Sequence, residues 1–221
     1  MADLRVVDDP AAEAAALIAE AVRAGGHIAL AGGSTPKAAY GMAAGMDLDW
    51  SAATLWFGDE RCVPPDDELS NYRMAKEALL DRVSGATVKR MAGEKGPNAG
   101  AEDYERELRE TLGEQLPQLD LVLLGLGPDL HTASLFPGKP AVEVKDRAVV
   151  GVEEAGLEPH VPRITLTLPA INAARQRVFL VAGEGKSDAV QAAFGNGEGP
   201  AGMVADPLVL LDAGAASRLT R

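Results

Sequence analysis

Short apolar runs alternate with longer amphipathic stretches along most of the chain. HIALAG (27–32), TLWFG (54–58), LDLVLLGLG (119–127), AVVGV (148–152), RITLTL (163–168), RVFLVAG (177–183) and PLVLLD (207–212) carry few or no polar positions. Runs of that length and continuity are the pattern of strands buried on both faces. Helical spacing predicts helices over 11–25, 35–44, 70–83, 98–112 and 185–194. Asp9 and Pro10 start the first and Gly25–Gly26 stop it, in keeping with proline at a first helical position and glycine past an end. Thr35 is expected to cap the second helix with Pro36 at its first position, and Ser70 to cap the third. GEKGPNAG (93–100) reads as a surface loop.

Strands alternating with helices predict an α/β fold with a mainly parallel sheet covered by helices on both faces. No repeat, linker or low-complexity tract divides residues 1–221, so one domain is expected, and the length suffices for a full core.

The chain has 221 residues and a formal net charge of −12. That charge disfavours nucleic acid and anionic lipid as partners. No apolar run approaches the roughly 20 residues of a membrane span, and the start MADLRVVDDP lacks a signal-peptide pattern. One cysteine, Cys62, rules out an internal disulfide and suggests a reducing, cytoplasmic setting. An anionic small molecule remains a suitable ligand, provided its pocket gathers cations against the overall field.

In parallel α/β sheets, ligands bind beyond the carboxyl ends of the strands, and four polar loops fall there. AGGSTP (31–36) places Gly33, Ser34 and Thr35 at a helix N-terminus, where backbone N–H groups and the helix dipole favour an anion; an ordinary capped turn is the plainer reading. GDERCVPPDDELSN (58–71) gathers Asp59, Glu60 and Arg61. Glu60 is expected in a solvated charge cluster and Cys62 as a small buried residue, while Arg61 offers a planar cationic fork. GLGPDLHTASLFPG (125–138) carries Asp129 and His131 just past a buried strand. His131, opening a short helical turn, can take a proton near neutral pH with Asp129 orienting its ring, or it can simply be satisfied by backbone groups. Arg163 heads RITLTL, and Lys186 lies in a helical first turn, where the dipole disfavours a cation and an anionic ligand would explain one. His27 and His160 lie apart, with no HxxxH or CxxC spacing, so no metal is expected.

AGGSTP, GDERCVPPDDELSNY, GLGPDLHTASLFPG and RITLTLPAIN with GEGK, in this order, resemble the 6-phosphogluconolactonase branch of the glucosamine-6-phosphate isomerase/6-phosphogluconolactonase family. The resemblance implies a Rossmann-like α/β sandwich, similar to glucosamine-6-phosphate deaminase and ribose-5-phosphate isomerase. It implies hydrolysis of 6-phospho-D-glucono-1,5-lactone with no cofactor and no metal; a monomer or weak homodimer is expected. Gly33, Ser34 and Thr35 would cradle the 6-phosphate with Arg163 and Lys186 as counter-charges. His131 would be the general base, Asp129 would hold its ring, and Arg61, positioned by Asp59, would face the lactone.

Two alternatives stay open. One is a sugar-phosphate isomerase or deaminase with Asp59 as base. The other is a binding protein impaired at Leu130, because the family pattern is Asp-Gly-His and this chain has Asp129-Leu130-His131. If the glycine stands at positive φ, leucine is strained there or shifts the loop. The segment 153–162 is expected as a loop able to order over substrate.

Overall fold

The computed structural model describes residues 1–113 and 116–219. In chain order the elements are β1 (Asp3–Val6), α1 (Pro10–Arg23), β2 (His27–Leu30), α2 (Ser34–Ala43), β3 (Thr54–Phe57), β4 (Asp59–Arg61), α3 (Asn71–Ala75, continued by a π-helical turn Lys76–Leu80) and β5 (Thr87–Val88). There follow α4 (Pro97–Leu112), β6 (Leu121–Leu124), β7 (Val149–Val152), β8 (Arg163–Leu166), α5 (Leu168–Ala173), β9 (Gln176–Val181), α6 (Ser187–Val190, continued by a π-helical turn Gln191–Gly195), α7 (Gly199–Gly202) and β10 (Leu208–Leu211).

Seven strands form one sheet in the order β1-β10-β9-β6-β2-β3-β5, and every pairing in it is parallel. The chain runs outward from β2 to β3 and β5, then returns to the other side of β2 at β6 and proceeds to β9 and β10. Right-handed crossovers, the general rule for parallel strands, lie on opposite faces of the sheet before and after such a reversal. Accordingly α1 packs on α2, while α4 packs on β7 and β8. The reversal makes the gap between β2 and β6 the topological switch point, where loops diverge and leave a crevice.

The local chemistry of the elements is legible in their sequences. Asp9 caps α1 by accepting from Ala11 and Ala12 N–H, with Pro10 at its start. All four residues of β6, LVLL, are buried, since helices cover both faces of a central parallel strand. Two buried tyrosines tie strand ends to helices. Tyr40 Oη on α2 accepts from Ala31 N at 2.8 Å and donates to its carbonyl. Tyr104 Oη on α4 accepts from Phe57 N at 2.7 Å. Each tether fixes the backbone where a strand passes into a cleft loop.

Three expectations change. AVVGV and RITLTL do not join the parallel series; β8 pairs antiparallel with both β4 and β7 in a separate three-stranded sheet. Apolar continuity reports burial but not which neighbour supplies the hydrogen bonds. Helix α2 begins at Ser34 with Gly33 at the cap position, so Thr35 makes no cap. Residues 93–100 are not an open loop: Gly93 and Gly100 are buried, and a Cβ on Gly93 would stand 2.3 Å from the Arg61 carbonyl oxygen.

Candidate active site

A cleft of about 340 Å³ opens at the switch point, lined by residues from the loops after β2, β3, β6 and β9. After β2, Gly33 takes φ 110°, a conformation natural to glycine, and turns the chain directly into α2. No side chain caps this helix. Its first-turn N–H groups are therefore left to solvent or ligand, with Ser34 exposed and Thr35 half-buried beside them.

Strand β4 carries three charged residues with three different tasks. Glu60 is 3% exposed, not solvated as expected. Its Oε1 accepts from Arg61 N and Asn71 N at 2.7 Å each, and its Oε2 from Tyr72 N at 2.7 Å and Ser70 Oγ at 3.0 Å. It thus seats the start of α3, with Ser70 acting as the expected cap. Burial pushes the Glu60 carboxyl above the ordinary carboxylate range, against the pull of those four donors.

Asp59, also buried, accepts from Ser134 Oγ at 2.6 Å and from Asn71 Nδ2 at 3.0 Å. Among the described residues no hydrogen bond joins it to Arg61: that guanidinium donates from Nη1 to the Leu69 carbonyl at 2.6 Å, and its buried Nε has no partner there. Across the β4–β8 ladder Arg61 stands opposite Arg163. Arg163 is only 4% exposed, and its Nε and Nη2 donate to the Val161 and Pro159 carbonyls at 3.1 and 2.8 Å. Burial first, and the Arg61 charge second, lower its pKa from the usual arginine value.

The histidine turn follows β6. His131 Nδ1 lies 2.5 Å from Asp129 Oδ1, so the carboxylate fixes the ring, and Nε2 is the nitrogen left for chemistry in the cleft. Gly127 is required by close approach: a Cβ there would meet His131 Nδ1 at 2.1 Å and Asp129 Oδ1 at 2.6 Å. The ring packs on Phe136 with centroids 4.7 Å apart. The expected helical turn at HTASLF is instead a tight bridged turn pairing Thr132 with Leu135. Leu130 stands at φ 72°, so the strained backbone is real, yet the Asp129–His131 contact forms.

Lys186 ends a short 3₁₀ turn just before α6, and its Nζ donates to the Leu126 carbonyl at 2.8 Å. Among the described residues, no carboxylate forms an ion pair with Arg61, Arg163 or Lys186.

Of the nine residues singled out from sequence, Asp59, Arg61, Gly33, Ser34, Thr35, His131, Arg163 and Lys186 line the cleft, while Asp129 sits behind the His131 ring. The remaining histidines are occupied elsewhere. His27 Nδ1 accepts from Trp56 Nε1 at 3.1 Å, and His160 Nδ1 lies 3.2 Å from the Ala155 carbonyl. Cys62 is half-buried, with burial pushing its thiol up to about 11. Sequence reasoning missed Asn71 and Ser134. Their contacts with Asp59 span 12 and 75 residues, and neither residue type advertises such a role. Leu157 and Glu158 also reach the cleft wall.

An α/β domain whose switch-point cleft gathers an uncapped helix start, three cations that form no ion pair among the described residues and a histidine held against a carboxylate has the fold and site of an enzyme. Comparison with known proteins narrows that class. Residues 4–211 match the family model described as glucosamine-6-phosphate isomerases/6-phosphogluconolactonase, and the chain belongs to this family. It is 41% identical to the 6-phosphogluconolactonase of Streptomyces coelicolor over 92% of this chain and 85% of that one. It is 40% identical to that of Mycobacterium tuberculosis, over 90% and 82%. The solved 6-phosphogluconolactonase from Trypanosoma cruzi superposes with a TM-score of 0.88 at 30% identity, covering 100% of this chain and 98% of that one. A monomeric glucosamine-6-phosphate deaminase shares the fold, with a TM-score of 0.84 at 20% identity over 98% and 99% of the two chains.

Proposed function

We propose that the protein hydrolyses 6-phospho-D-glucono-1,5-lactone to 6-phospho-D-gluconate, a step of the oxidative pentose phosphate pathway, with His131 as general base. The observation that carries this reading is the Asp129–His131 contact of 2.5 Å at the edge of a cleft holding three cations that have no carboxylate partner among the described residues. The phosphate lies on the first turn of α2, at Gly33, Ser34 and Thr35, with Arg163 and Lys186 as counter-charges. His131 Nε2 takes a proton from water as the oxygen attacks C1. Asp129 stabilises the imidazolium that forms. Arg61, which lines the cleft, donates from its guanidinium to the oxyanion. The tetrahedral intermediate collapses by breaking the bond from C1 to the ring oxygen, and His131 returns its proton to that oxygen. The carboxylic acid product then ionises, releasing one proton.

A deaminase or isomerase would need a free carboxylate over C2. Asp59 is buried, with both oxygens committed to Asn71 and Ser134, which disfavours that role. An impaired binding protein would need Leu130 to have disrupted the histidine, and the ring contact argues against it. A monomer or weak homodimer in the cytoplasm suits such an enzyme. The described residues contain no helix long and apolar enough to cross a membrane.

The test is acid release from freshly generated lactone, compared with spontaneous hydrolysis. Wild type should be fast, and His131→Ala should fall by about 10²–10⁴-fold. A wild type no faster than background would overturn the function, and an active His131→Ala would overturn the base.

A further inference from the structure

Leu130 lies between the two members of the Asp129–His131 pair and takes φ 72°, a region that L-residues seldom adopt unless their surroundings hold them there. Its surroundings are a glycine and a short helix outside the cleft. Gly199, itself at φ 65°, leaves room for the leucine: a Cβ on Gly199 would lie 2.5 Å from Leu130 Cβ and 3.1 Å from Cδ1. Two residues on, Ala201 N donates to the Leu130 carbonyl at 3.1 Å. The inner side of the turn is closed by Leu130 N donating to the Gly127 carbonyl at 3.0 Å and Gly127 N to the His131 carbonyl at 2.9 Å. Helix α7 in turn packs on the π-helical turn Gln191–Gly195, which continues the segment begun at Lys186. The histidine turn and the Lys186 segment therefore share one support.

We infer that the Leu130–Gly199 contact is a positioning device: Leu130, seated on Gly199 and bonded through its carbonyl to Ala201, sets the orientation of His131, so that α7 governs turnover without touching substrate. The inference rests on the lactonase reading for its kinetic readout only. A glycine at position 130 would leave the turn without this seat. Added bulk at Gly199 meets Leu130 first, so relief of that contact shifts the leucine against α7 and with it the histidine turn. A displacement of about 1 Å in a catalytic group can cost on the order of 10²-fold in rate.

The test uses the full chain as wild type, Gly199→Ala, Leu130→Gly and the double variant. The readouts are kcat and KM for the lactone and the imidazole resonances of the three histidines. Gly199→Ala should lower kcat by about 10–100-fold with KM within about threefold, and should shift the His131 resonance while those of His27 and His160 stay in place. The double variant should stay close to Leu130→Gly alone in both readouts, because the three atoms nearest the added methyl all belong to Leu130; the backbone strain of alanine at φ 65° is common to both backgrounds and should appear as a similar loss of Tm in each. If Gly199→Ala leaves kcat and the resonance unchanged, or lowers kcat by the same factor in both backgrounds, the inference is overturned. Should Gly199→Ala not fold, Leu130→Ala removes the Cγ and Cδ contacts without adding bulk. It should lower kcat several-fold at constant KM and shift the same resonance; no change in either overturns the inference. A wild type no faster than spontaneous hydrolysis would remove the lactonase reading, and the resonances would still decide the contact.

Discussion

Glu60→Gln is the sharpest probe of how the cleft is built, because it removes a charge and one acceptor while keeping shape. The carboxylate receives four hydrogen bonds, two on each oxygen. If the amide nitrogen replaces Oε1, it faces the N–H groups of Arg61 and Asn71. If it replaces Oε2, Ser70 can rotate to accept, leaving only Tyr72 N–H unpaired. The second arrangement is the cheaper. One buried unpaired donor costs about 1–3 kcal/mol, and the surviving bonds lose charge assistance worth about 1 kcal/mol. A destabilisation of about 2–4 kcal/mol corresponds to a Tm lower by about 5–15 °C for a domain of this size. Thermal unfolding followed by circular dichroism reads it directly. The sign of its pH dependence is also determined. Since burial raises the Glu60 pKa in the folded state, the folded protein binds this proton more tightly than the unfolded chain. The contribution is fully present below the unfolded carboxyl pKa and is lost as pH rises through the folded one. Glutamine does not titrate, so the variant's deficit should widen between pH 7 and about pH 4.5. An unchanged Tm, or a deficit that closes on acidification, would refute this account of Glu60.

Three further outcomes test the site. Asp129→Asn keeps an acceptor for His131 but removes the charge; exchanging a charged for a neutral hydrogen bond costs about 1–2 kcal/mol, so kcat should fall about 5–30-fold at nearly constant KM in steady-state assays. Lys186→Ala should raise KM about 10–100-fold with a much smaller effect on kcat, because an anchor far from C1 acts equally in ground and transition states. Cys62 should alkylate slowly. With its thiol pushed up to about 11, its thiolate fraction at pH 8 is about 10⁻³, so iodoacetamide should react about 100-fold slower than with an ordinary thiol, and the rate should climb about tenfold per pH unit.

The alternation of apolar runs and helical stretches determined the α/β class, because burial on both faces of a parallel strand demands side chains that declare it, as LVLL does in β6. Cap chemistry at Asp9 and Ser70 was likewise legible, since each cap is a bond between near neighbours. Residue type and loop position also marked eight of the cleft's residues, since catalysis and anion binding draw on few side chains and the fold presents loops at one end. Four matters were decided only in three dimensions. β7 and β8 have the composition of central parallel strands but form an antiparallel sheet with β4, in which β8 pairs with both neighbours, because hydrogen-bond partners are chosen by chain path and not by hydrophobicity. Glu60 has the sequence of a surface charge and the surroundings of a buried cap, since its four donors become visible only when β4 and α3 meet. Asp59 lies two residues before Arg61 yet bonds to Ser134, 75 residues away, where the histidine turn crosses over β4. Leu130 takes a glycine's conformation with its side chain seated against Gly199, a neighbour distant in sequence. Local periodicity and residue chemistry set what each segment can be; long-range contacts, invisible along the chain, set which charges are buried and which way His131 points.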